Sequence, residues 1–186
     1  MAKKTWSNPV PFNLIATSIS ESYKRFADCA TGLPIAPHPG AFGVRRSKHI
    51  HEGVDLYVPE GTVIRAVECG TVVAVLPFTG EIVDMPWWEN TWAVMVEGES
   101  GVVLYGEIIA CTEVGTEVQA GDVIGCVKRV LKKDKGRPMS MLHLELHKPG
   151  TRNWSGWCDP LYRPDSLLDP TPYLRTVEAT RRTMRK

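Results

Sequence analysis

Apolar and polar positions alternate in short runs through residues 54–146, rich in Val, Ile, Thr, Tyr and Trp and punctuated by Gly and Pro. That is the pattern of strands joined by tight turns, and it predicts an all-β core. Seven strands are expected: Val54 to Val58, Val63 to Val67, Gly70 to Leu76, Thr91 to Val96, Val102 to Ile108, Val123 to Val127 and Met141 to Leu146. Between the fourth and fifth, Glu97-Gly98-Glu99-Ser100-Gly101 is a polar, Gly-containing loop, so these two strands should pair as an antiparallel hairpin. Gly61-Thr62-Val63-Ile64-Arg65-Ala66 is echoed by Gly115-Thr116-Glu117-Val118-Gln119-Ala120, a short sign of two related β-units.

The flanks read differently. Ser20 to Phe26 has the form of a short Ser-capped helix, and Leu33 to Gly40, with three prolines, that of an extended loop. Lys148 to Pro172 is rich in Pro, Asp and Trp and is expected to wrap the surface. Leu174 and Val177 stand at helical spacing ahead of Arg181, Arg182, Arg185 and Lys186, which suggests a solvated, frayed helix. The expected organisation is an N-terminal extension at 1–37, one β domain at 38–174 and a basic tail at 175–186.

Composition narrows the function classes. The 186 residues are the length of one domain, and 43% hydrophobic with 23% charged residues is a globular balance. With 22 Lys+Arg against 21 Asp+Glu, net charge +1, no field suited to a nucleic-acid backbone is implied. No run approaches the roughly 18 apolar residues of a membrane span. The two N-terminal lysines lack an apolar region behind them, so no secretory signal is read and a cytoplasmic chain is expected. Five cysteines, Cys29, Cys69, Cys111, Cys126 and Cys158, form no C-x-x-C pair, which favours reduced and mostly buried thiols. Oligomeric state is not legible.

Four of the five histidines fall in two clusters. The first is His49-Ile50-His51-Glu52-Gly53-Val54-Asp55. It imitates a helical H-E-x-x-H zinc motif, but Gly53, the missing second histidine and the β-rich continuation exclude a helix. The second, Met141-Leu142-His143-Leu144-Glu145-Leu146-His147, alternates strictly. On a strand, the leucines line one face while Met141, His143, Glu145 and His147 share the other. An imidazole and a carboxylate from the first cluster and an imidazole from the second would make a two-His, one-carboxylate zinc site with a fourth position for water.

The block His51-Glu52-Gly53-Val54-Asp55, continued by Gly61-Thr62-Val63-Ile64-Arg65-Ala66, resembles the H-x-G-x-D and G-T-x-V-x-A elements of the lysostaphin/LytM-type zinc metallopeptidases. Gly70-Thr71-Val72, Val118 to Gly125, Leu142-His143-Leu144-Glu145 and Asp169-Pro170-Thr171-Pro172-Tyr173-Leu174 resemble further blocks of that family in the same order, so the likeness covers roughly residues 38–174. It implies an antiparallel β-sandwich or barrel-sandwich hybrid, the family's duplicated hybrid motif fold, with short flanking helices. It also implies Zn2+ at the floor of a groove, and a peptide or peptidoglycan fragment as substrate. Carried over by position, His51, Asp55 and His143 match the zinc ligands. The family's two helper histidines fall on Met141 and on Glu107, so its usual proton-transfer machinery is absent.

Two readings follow. In one, Glu107 is the general base, with Tyr105 and His147 as oxyanion stabilisers, and the chain is a zinc metalloendopeptidase. In the other, Glu107 is a fourth ligand or a surface residue, Met141 closes the groove, and the domain is a catalytically inactive zinc-stabilised binding module. A wall substrate would require leaderless export or release on lysis. Glu145 is expected to support a ligand rather than act as base; His49 to line the groove mouth, and His38 to be a loop residue. Trp92 is expected to pack, whereas Trp87 and Trp88 on a polar loop are either packing residues or a substrate wall. The run Lys132 to Arg137 reads as a solvated hairpin tip; Asp134-Lys135 only faintly resembles the lysine turn of lipoyl carrier domains.

Overall fold

The computed structural model describes residues 6–18, 32–134 and 136–183. Two short strands, β1 (Ala16–Thr17) and β2 (Leu33–Pro34), pair in parallel. The main sheet holds β3 (Val54–Tyr57), β4 (Val63–Arg65), β5 (Gly70–Thr79), β6 (Thr91–Gly98), β7 (Gly101–Ala110), β8 (Glu117–Val118), β9 (Val123–Val127), β10 (Met141–His147) and β11 (Leu167–Leu168). An α-helix, α1 (Thr171–Thr183), follows. All seven predicted strands are present, and the fold is a mostly β, open antiparallel assembly. Sequence pattern missed only the two-residue strands, which are too short to show a period.

β5 runs on through Pro77, which pairs with Trp92. Its other edge meets β8 only at Gly70 and Thr71, so among the described residues no neighbouring strand there calls for the amide hydrogen that proline lacks. The β6–β7 hairpin closes on Gly98 opposite Gly101, leaving Glu99-Ser100 as the turn. The first echoed segment is joined to the residues just after the second: Ala66 N–H bonds to Asp122 O, and Gly121 N–H to Ala66 O. Each begins at a glycine with positive φ, Gly61 at 83° and Gly115 at 92°, so the repeat is one of turn geometry.

Strand β7 organises the centre. Its first half, Val102 to Gly106, lies against β10, whereas Ile108 to Ala110 lies against β9. Between them the register with β6 slips, and Glu107 takes the left-handed conformation, φ 64°. This bulge turns a side chain that strict alternation would send into the core beside Tyr105. The sheet buries both faces. Val72, Val94, Val96, Val103, Tyr105, Leu142, Leu144 and Leu146 belong to the larger cluster, while Ala74, Phe78, Ala93, Met95, Val102 and Leu104 form a smaller one.

The flanks depart from expectation. Leu174 and Val177 of α1 are buried in the main core rather than solvated, and Tyr173 stacks on Trp6 at 4.8 Å. Val10 and Leu14 enter the same core. Helical spacing was correct there, but the apolar face had a partner supplied by distant chain. Trp92 is 40% exposed, and Cys69, Cys111 and Cys158 are exposed free thiols, contrary to the packing expected of them. Trp92 stands outward on its strand while its neighbours Thr91 and Ala93 are buried, as alternation demands. The predicted helix at 20–26, Cys29 and Lys135 lie outside the described residues.

Candidate metal centre

β3 and β10 are antiparallel neighbours, with Asp55 directly opposite His143. Opposed residues project to the same face, so the ladder brings together two groups 88 positions apart. His51 sits in the loop ahead of β3, which is anchored by bridges from Ile50 to Arg45 and to Trp157. Gly53 allows the loop its close approach: a Cβ there would lie 2.5 Å from Leu144 O and 3.0 Å from His143 Nε2. Gly106 does the same on the neighbouring strand, where a Cβ would lie 2.6 Å from the Phe78 ring, the ring that packs 5.4 Å from His143.

The three donor atoms form a small triangle. His51 Nε2 is 3.1 Å from Asp55 Oδ1 and 3.3 Å from His143 Nδ1, and His143 Nδ1 is 2.9 Å from Asp55 Oδ1. Tetrahedral zinc, with bonds of about 2.0–2.1 Å, sets its ligand atoms roughly 3.3 Å apart, so these residues fit the ion after a movement of about half an ångström or less. Their remaining atoms are held from behind. His51 Nδ1 donates to Ala41 O at 2.9 Å, which leaves Nε2 with its lone pair. His143 Nε2 donates to Glu145 Oε1 at 2.9 Å, which frees Nδ1 in the same way. Asp55 Oδ2 accepts from the Arg46 guanidinium and, at 3.5 Å, from the Tyr57 hydroxyl. Arg46 is itself clamped to Pro39 O at 3.1 and 2.8 Å.

Electrostatics favour charged Asp55 and neutral His51. Burial opposes ionisation of Asp55, but His51, Arg46 and the bonds from both imidazoles outweigh it and hold the carboxyl well below its usual range. Burial lowers His51 despite the attraction of Asp55. His143 is also disfavoured as a cation by burial, yet its bonds to Asp55 and Glu145 push it well above the usual histidine value. A metal cation at Nδ1 would take the place of that proton.

Glu107 is brought to the same place. Burial, reinforced by Asp55, pushes its carboxyl up to about 8, and its Oε2 is buried without a hydrogen-bond partner. It shares with Asp55, Tyr57 and Met141 the lining of a cleft of about 390 Å³, whose walls include His49 and Trp88. An orphaned carboxylate oxygen beside the donor triangle fits a site that takes water or an ion.

Two sequence-predicted site residues lie elsewhere. Tyr105 is fully buried on the core face, where its hydroxyl accepts from Val67 N–H at 2.8 Å, and burial raises its pKa. It precedes the bulge, so it follows the leucine-facing alternation and cannot meet an oxyanion in the cleft. His147 is fully buried behind the centre, with Nε2 2.6 Å from Glu145 Oε2. It keeps the face predicted for it but lies four positions along β10 from His143 and six from Met141, the residue of this strand that lines the cleft. His49 lines the cleft as expected. His38 lies in a loop, as expected, but a buried one: it is 1% exposed, accepts from Gly40 N–H at Nδ1 and packs on Tyr57. Trp87 is 60% exposed and meets Trp88 edge-on at 6.4 Å, so only Trp88 turns to the cleft. Sequence reasoning missed Arg46 and Phe78; an arginine in a loop and an aromatic on a strand carry no signal of their distant partners.

Comparison with known proteins agrees with this architecture. The model of peptidase family M23 matches residues 49–154. No curated protein matches the chain. Among solved structures, the catalytic domain of the antimicrobial peptidase lysostaphin from Staphylococcus simulans is 16% identical with a TM-score of 0.50, over 82% of this chain and 97% of that one. A putative peptidase M23 from Pseudomonas aeruginosa is 18% identical over 93% of this chain and 51% of that one, TM-score 0.48. Lysostaphin in solution is 19% identical over 69% of this chain and 44% of that one, TM-score 0.47. The chain thus spans about half the length of the last two.

Proposed function

The chain belongs to peptidase family M23, and from that premise we propose that it is a zinc-dependent peptidase acting on a peptide, with a peptidoglycan fragment as the substrate class to test first. The observation that carries the reading is the donor triangle of His51, Asp55 and His143, each with its outer atom held by a separate partner. These three residues would hold the ion. Bound there, zinc supplies a Lewis acid and lowers the pKa of water to about 7.

The chain's own residues do the rest. Glu107 accepts a proton from the water that attacks the peptide carbonyl carbon, then returns it to the departing nitrogen as the C–N bond breaks, leaving a carboxylic acid and an amine. Its position at the cleft wall and its unpartnered oxygen support this role. Trp88 and Met141 give the cleft apolar surface against which a peptide can lie.

Met141 at a position where the family carries a proton-transferring histidine favours a second reading, a zinc-stabilised module that binds peptide without cutting. One experiment separates the two. Zinc-loaded protein is incubated with defined cell-wall peptides and new amines are counted by mass spectrometry. Turnover that Glu107→Gln abolishes while leaving zinc in place supports the enzyme; bound peptide with no turnover supports the module; and a chain free of zinc after metal-replete preparation overturns both.

A further inference from the structure

His143, Glu145 and His147 share one face of β10, as alternation requires, and they are joined side chain to side chain. His143 Nε2 donates to Glu145 Oε1 at 2.9 Å, and His147 Nε2 donates to Glu145 Oε2 at 2.6 Å. His147 Nδ1 lies 3.3 Å from Ser166 Oγ. The three side chains on the strand are buried, so no bulk water replaces a lost bond. An ionised carboxylate only accepts, and here each oxygen has one imidazole donor. Its plane is therefore set from both ends.

Resting on the metal centre proposed above, we propose that His147 is a positioning residue: by holding the outer oxygen of Glu145, it fixes the carboxylate that turns His143 Nδ1 towards the metal. Phe78, packed on the His143 ring, restrains its tilt, whereas rotation about the ring's own axis is restrained by Glu145 alone among the bonds to Nε2. Without His147, Oε2 of Glu145 would be a buried acceptor with no donor. The carboxylate would turn to find one, and the imidazole would turn with it. Outer-shell partners of metal-bound histidines act in this way on affinity.

The test is zinc affinity of the full chain, measured by competition with a chromophoric chelator, with the absorption spectrum of the cobalt(II)-substituted protein as a report on ligand geometry. His147→Leu is expected to bind zinc about tenfold more weakly, the lower end of the range for such partners, and to shift the cobalt band. His147→Gln, whose amide hydrogen can still reach Glu145, is expected to stay near wild type. In a Glu145→Gln background, His147→Leu should cost nothing further. Wild-type affinity and an unshifted spectrum in His147→Leu, or equal loss in the Leu and Gln variants, overturns the proposal. If His147→Leu does not fold, Ser166→Ala takes its place, with weaker binding expected and no change overturning it. Absence of zinc from the wild-type chain is a different result: it fails the metal centre itself, and this role with it.

Discussion

His143 and Asp55 are direct partners on neighbouring antiparallel strands, and their side chains meet at 2.9 Å between Nδ1 and Oδ1. The sheet ladder therefore sets two of the three donors of the proposed metal site, and those two residues have a structural role beside the proposed chemical one. Asp55→Ala should abolish zinc binding and also leave Arg46 facing a carboxylate that is gone. A loss of about 1.5–3 kcal/mol is expected, as for a hydrogen bond to a charged group, because the arginine left behind keeps partial access to water. Zinc stoichiometry together with denaturant titration of the metal-stripped protein checks both effects.

Gly106→Ala tests the packing behind His143. The added Cβ would sit 2.6 Å from the Phe78 ring, so Phe78 must move from its place against the imidazole. Overpacking of this kind costs roughly 1–3 kcal/mol. The expected outcome is a lower denaturation midpoint with weaker zinc binding; unchanged zinc affinity would show that Phe78 does not restrain His143.

Tyr105→Phe distinguishes a core hydroxyl from an oxyanion donor. Removing the hydroxyl strands Val67 N–H, whose bond to it is 2.8 Å, at a cost of about 1–3 kcal/mol. Turnover per folded molecule should be unchanged. A fall in kcat without loss of stability would mean that Tyr105 reaches substrate.

Stability of metal-stripped protein should depend on pH through Glu107 and Glu145 in opposite senses. Burial raises the folded Glu107 value from 4.5 to about 8, so its contribution is full below about 4.5 and is lost as pH rises through 8. Glu145, despite burial, is lowered from 4.5 to about 2 by its bonds from His143 and His147. Its contribution is present above 4.5 and lost as pH falls towards 2. Urea midpoints at pH 5 and 9 should therefore differ more for wild type than for Glu107→Gln; equal differences would place the Glu107 carboxyl in water.

Leu174→Ala should cost about 2–5 kcal/mol, as for a large core side chain, because Leu174 is fully buried although it lies in the C-terminal helix. Thermal denaturation gives the answer directly, and a loss under 1 kcal/mol would return α1 to the solvated status its basic composition suggested.

What the chain's order of residues determined by itself was local. Period-two alternation placed all seven longer strands and set His143, Glu145 and His147 on the face opposite Leu142, Leu144 and Leu146, because backbone pleat depends only on neighbouring residues. The short H-x-G-x-D pattern singled out His51 and Asp55 for the same reason: both belong to one turn and the strand it enters. Tertiary structure decided what needed distant chain. Pairing of β3 with β10 closed the triangle across 88 positions. The change of partner along β7 produced the bulge that turns Glu107 to the cleft while Tyr105 stays in the core. Register and bulges answer to the summed packing of strands far apart in sequence, and no window of neighbouring residues carries that sum.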